Sequence, residues 1–127
     1  MDIFFQDPTE IPLPPEDVRI RELLVQPWPD GQRVRVYLEV DPFQRRPSAD
    51  LTVRDASGNT IASASIIESM YRKIEVTLHM RPPMPGQDLT LHAVVFFVEQ
   101  PPEGEEPDPR NRTVVDTRQV EFSTPEA

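Results

Sequence analysis

An all-β fold is predicted by three features of this sequence. First, its 16 prolines gather into punctuation at positions 8–15, 27–29, 42–47, 82–85 and 101–109. Proline lacks the backbone donor and fixes φ, so it avoids helix interiors and central strands. Second, the runs between these clusters are short and rich in Val, Ile, Leu, Thr and Phe, residues that suit a pleated surface. Third, the clearest run alternates strictly, with Val34, Val36, Leu38 and Val40 set between Arg33, Arg35, Tyr37 and Glu39. That period of two belongs to a half-buried strand. No proline-free window carries a capped helical stripe. A length of 127 residues suits one domain, large enough to need neither metal nor disulfide as a staple.

The elements follow in order. Residues 1–17 read as an extended, proline-rich arm, with Ile11-Pro12-Leu13-Pro14-Pro15 favouring polyproline II. A first strand is expected over 18–25. Its apolar phase runs through Val18 and Ile20, then shifts to Leu23 and Val25, so a bulge or sheet switch is expected near Glu22. Pro27-Trp28-Pro29-Asp30-Gly31 is a turn, with proline setting φ and glycine accepting a positive value. The alternating run 33–40 is the second strand. Beyond the loop 41–47, strands over 50–55 and 60–67 flank the turn Ala56-Ser57-Gly58-Asn59 as a hairpin. The fifth strand, 70–80, points Ile74, Val76, Leu78 and Met80 inward. The sixth, 88–99, sets Leu89, Leu91, Ala93, Val95 and Phe97 on one face, and the seventh, 113–123, contributes Val120 and Phe122. Residues 18–124 thus form the sandwich domain, and 125–127 a short tail.

Seven short strands at nearly regular intervals fit two packed sheets. The run Pro85-Gly86-Gln87-Asp88-Leu89-Thr90-Leu91 resembles the entry to the penultimate strand of the immunoglobulin-like and fibronectin type III-like superfamily. The strand count and the Gly58 hairpin after the third strand belong to the same resemblance, which spans residues 18–123. It implies a single seven-stranded antiparallel immunoglobulin-like β-sandwich. It operates at the level of fold, since the chain has no Cys pair, its one Trp lies in a turn, and leucines stand at the corner Tyr position. A fold of this kind hosts many functions and implies none of them.

Composition excludes several classes of function. With no cysteine there is no disulfide, thiol nucleophile or Cys-ligated metal. A net charge of −9 argues against nucleic acid and anionic membrane as partners and favours solubility. No secretory leader or membrane-length apolar stretch is visible, so a cytoplasmic location is the default expectation. Lys73 is the single lysine among many arginines, a bias in keeping with a GC-rich, bacterial genome. His79 and His92 fall on strands expected in different sheets, too few and too divergent for a zinc site. Ser57, Ser63, Ser65 and Ser69 lack a nucleophile elbow, and the four glycines form no phosphate loop. The acidic, proline-rich loop 100–112 lacks the alternating ligands of a calcium loop. The expectation is therefore a non-enzyme without cofactor.

The sixth strand carries the strongest functional hint. Its second phase reads Thr90, His92, Val94, Phe96 and Val98, apolar where the second strand is charged. A strand apolar on both faces is covered on both sides or forms an interface. The covering group is expected to be either the arm, through Ile3, Phe4, Phe5, Ile11 and Leu13, or a second subunit. A protein-interaction or accessory module, with a protein partner or its own copy, is the leading expectation. The alternative is a carbohydrate- or small-ligand-binding module using Trp28, Tyr37, Phe43 and Tyr71 as stacking platforms, although these aromatics are scattered along the chain.

Overall fold

The computed structural model describes residues 11–106, 108 and 110–126. Ile3, Phe4 and Phe5 lie outside the described residues. Seven strands form: β1 (Ile20–Pro27), β2 (Arg33–Val40), β3 (Ser48–Arg54), β4 (Thr60–Ile66), β5 (Lys73–His79), β6 (Asp88–Val98) and β7 (Arg112–Ser123). A 3₁₀ turn at Pro15–Asp17 precedes them. All pairings between these strands are antiparallel, in one sheet of order β1-β2-β5 and another of order β4-β3-β6-β7. The chain is an all-β, seven-stranded sandwich.

Alternation places the core between the sheets. Val34, Val36, Leu38 and Val40 of β2 face Leu51 and Val53 of β3 and Leu89, Leu91, Ala93, Val95 and Phe97 of β6, in one buried cluster with Val18, Leu78 and Met80. Each fully buried aliphatic or aromatic side chain contributes about 1.5–3 kcal/mol relative to exposure. The phase slip in the first strand is real: the β1–β2 register shifts between Ile20 and Glu22, so Ile20 and Leu23 both reach the core.

Some expectations need correction. Ile74, Val76 and Phe122 are half-buried, packed against the core without being enclosed by it. Ile74 and Val76 sit on β5, an edge strand with a neighbour on one side only. Phe122 lies near the end of β7, also an edge strand. The fifth strand begins at Lys73 rather than at 70, because residues 67–72 form an anchored connection. The third begins earlier, at Ser48. The arm is not extended throughout. Leu13 forms a parallel bridge with Phe43, and Pro15–Asp17 turns back toward the sandwich.

One flank of the sandwich is clasped by side chains. The Ile20 amide donates to Asp116 Oδ2 at 2.8 Å, and Arg118 donates to the Ile20 carbonyl at 2.8 Å. A bulge in β7, opposite Val95 and Phe96, accompanies this reach between sheets. No comparable clasp joins β4 to β5 on the other flank among the described residues.

Candidate functional site

The expected interface on β6 is largely filled. Phe96 is 3% exposed, and Val94, Val98 and His92 are half-buried. The Arg112 guanidinium lies 4.2 Å from the Phe96 ring centroid and is held there by Asp50 Oδ2 at 2.7 Å. A cation over an aromatic face is attracted by the ring quadrupole, and its stem covers apolar surface. Of the arm candidates, Leu13 is half-buried beside Phe43 and packs on the core, whereas Ile11 is exposed.

The open apolar surface lies elsewhere, on the β4–β5 connection. Ile67, Met70 and Tyr71 are 69%, 64% and 70% exposed. They rim a shallow cleft of about 530 Å³ whose other walls include Ile66, Ile74, Arg46 and Lys73. The connection is pinned from beneath. The Glu68 amide donates to Ser48 Oγ at 3.0 Å, and the Ser69 amide donates to the Pro47 carbonyl at 2.8 Å. Buried Ser69 donates through Oγ to the Tyr71 carbonyl at 2.7 Å and accepts from the Tyr71 amide at 3.2 Å. Glu68 has φ of 45°, a left-handed conformation rare for a residue with a Cβ. These bonds hold three large apolar side chains outward on a fixed backbone. The sequence signal was present in Ile66-Ile67-Glu68-Ser69-Met70-Tyr71, but assigning its ends to flanking strands hid it.

A second surface gathers two of the four aromatic candidates. Register sets Leu24, Tyr37 and Glu75 in one row across the β1-β2-β5 sheet, with Gln26, Arg35 and Thr77 in the next. Trp28 joins the same face, its amide donating to the Arg33 carbonyl at 2.8 Å. Tyr37 and Trp28 therefore flank Arg35, contrary to the expected scatter, while Phe43 and Tyr71 lie apart. The Arg33 guanidinium stacks 3.9 Å from the Trp28 centroid, with Arg35 at 5.8 Å. Shallow depressions adjoin Trp28 and Tyr37, and both include Gln26 and Arg35.

Among the described residues, three carboxyls are held below the usual carboxylate range, and all serve turns. The Gln32 amide does this for Asp30, the Asn59 amide for Asp55, and the Arg110 side chain for Asp108. Among the described residues no group of three or more His, Cys, Asp or Glu side chains is placed to hold a metal ion. His79 is exposed on β5 and His92 half-buried on β6, in different sheets. No helix of the described residues is long and apolar enough to cross a membrane.

No protein-family model matches the chain, and no curated protein matches it either. Solved structures do. A glycosyl hydrolase family 2 member from Bacteroides cellulosilyticus matches 84% of this chain with a TM-score of 0.58 and 13% identity. The β-glucuronidase of Bifidobacterium dentium, solved with coumarin-3-O-glucuronide, matches 85% with a TM-score of 0.53 and 12% identity. That of Lactobacillus rhamnosus matches 85% with a TM-score of 0.51 and 14% identity. The chain spans only 14%, 18% and 16% of these proteins, respectively. At such identity the likeness shows a shared β-sandwich fold.

Proposed function

We propose that this chain is a non-catalytic accessory module that binds protein through its β4–β5 connection. The observation that carries the reading is the exposure of Ile67, Met70 and Tyr71 on a backbone pinned to Pro47 and Ser48. Large apolar side chains held together in water mark interaction surfaces, and a pinned loop pays little ordering entropy on binding. The proposal rests on this connection rather than on the β6 face because Phe96 is already buried within a single chain. The occurrence of similar sandwiches as small parts of large glycosidases is in keeping with an accessory role.

The test compares the parent with Ile67→Asp/Tyr71→Asp as baits in extract from the native host. Both positions are solvent-exposed, so stability should shift by no more than about 0.5 kcal/mol per site. A partner held by the parent and lost by the variant supports the proposal. Equal capture by both refutes it.

A second reading, carbohydrate binding, is favoured by the placement of Trp28 and Tyr37 on one sheet face. Aromatic rings offer stacking surfaces to the apolar faces of sugars. Against it, Arg33 already occupies part of the Trp28 surface. Electrophoresis through polysaccharide-loaded gels decides this: retardation of the parent that is abolished by Trp28→Ala would establish the reading.

A further inference from the structure

The four edge strands differ in how they are guarded. β1 carries Arg21, Glu22 and a bulge, and β5 carries Lys73, Glu75 and His79. β7 carries Arg112, Asp116, Arg118 and Glu121, has a bulge, and is clasped to β1. Charges and bulges of this kind stop an edge from pairing with another chain. β4 reads Thr-Ile-Ala-Ser-Ala-Ser-Ile, without a charge or proline. Among the described residues it pairs with β3 alone, and its one irregularity lies near its start, where the register steps from Thr60 to Ala62. Residues 62–66 are left as a regular, unguarded edge. The stretch 56–67 around them is the longest in the chain without Asp, Glu, Lys or Arg.

From this we infer that β4 pairs antiparallel with β4 of a second copy, joining two four-stranded sheets into one across a two-fold axis at Ala64. The inference rests on the protein-binding reading above and names the partner. Self-complementarity selects the occupant, since β4 is small and uncharged on both sides of Ala64. A chain with a net charge of −9 repels its own copy over most contacts, and β4 permits one in which no like charges oppose. A strand joint by itself buries little area. The apolar patch adjoins the joint, since exposed Ile67 follows β4 directly, with Met70 and Tyr71 on the same connection. Ser63 falls opposite Ser65 of the partner subunit, so only small side chains meet on the outer face.

Sedimentation of the full chain from low to high micromolar concentration should show a monomer–dimer equilibrium. Ser63→Lys, which sets charges on the joint at an exposed position, should weaken dimerisation at least about tenfold, with an unchanged melting temperature at concentrations where parent and variant are both monomeric. Because the chain has no cysteine, single thiols give an independent reading. Under mild oxidation an equimolar mixture of Ser63→Cys and Ser65→Cys should form a covalent dimer, since directly paired strand positions lie within disulfide reach. Thr77→Cys, on the other sheet, should not. A parent that remains monomeric, a Ser63→Lys variant that dimerises like the parent, or a mixture that cross-links no better than Thr77→Cys each overturns the inference. Any of these results leaves the protein-binding reading to be judged separately, by the Ile67→Asp/Tyr71→Asp comparison in host extract.

Discussion

Asp55 shows how one side chain fixes a turn. Its Oδ1 accepts from the amides of Ser57 at 3.0 Å and Asn59 at 2.9 Å, while Gly58 takes φ of 87°, which a residue with a Cβ resists. The Asn59 amide is the main reason that the folded carboxyl titrates below its ordinary 3.8. A depressed folded pKa contributes stability above the unfolded value and loses it as pH falls through the folded one. Asp55→Ala should therefore lower the melting temperature most near neutrality. The gap from the parent should narrow as pH falls below the ordinary carboxyl value of 3.8, as two calorimetric pH series would show. Phe96 presents the opposite situation, an apolar ring enclosed on the outer side of its sheet beneath Arg112. Phe96→Ala should cost about 3–5 kcal/mol, the range for a buried aromatic, by urea titration. A loss below about 1 kcal/mol would mean that the ring is not enclosed in solution.

Elements were legible where one periodicity governed them. β2 was expected and found over the same residues because Val34, Val36, Leu38 and Val40 alternate without interruption. The bulge in β1 was legible for the same reason, since a broken phase in a strand has few physical causes. What escaped was governed by contacts between elements. No local pattern announces that Asp116 crosses to the Ile20 amide or that residues 67–72 are tied to Pro47 and Ser48. The outward phase of β6 was read correctly as apolar, yet the arginine that covers Phe96 comes from β7, far along the chain. The clasp is open to direct measurement. Removing Asp116 leaves the amide of buried Ile20 without its acceptor, at a cost of about 1–3 kcal/mol. Asp116→Ala should lose that much in urea titrations, and Asp116→Asn, which retains a carbonyl oxygen, less. Equal losses would show that the carboxylate charge, rather than the hydrogen bond, holds β1 to β7.

On the scale of the molecule, the two sheets share one core but not two equal flanks. Side chains of β2 from one sheet and of β3 and β6 from the other form a single buried cluster, so neither sheet keeps an apolar interior if the other leaves. The candidate site was less legible than this core because an exposed apolar residue and a buried one look alike in sequence. Ile67 and Ile66 are identical neighbours, and only the pinned backbone separates their fates. The shared core makes a sharper prediction about unfolding. Trp28 is the only tryptophan, and it sits outside the cluster, on the outer face of the β1-β2-β5 sheet beneath Arg33. Its fluorescence reports that sheet, whereas far-UV circular dichroism reports all strands. Because the core is common, the two signals should trace one urea transition with the same midpoint, and a slope of about 1–3 kcal/mol per molar is expected for a domain of this size. If the sheets came apart in stages, the fluorescence midpoint would separate from the dichroism midpoint. That separation would move the seat of stability from the shared cluster to the individual sheets, and with it the expectation that clasping β1 to β7 stabilises the whole.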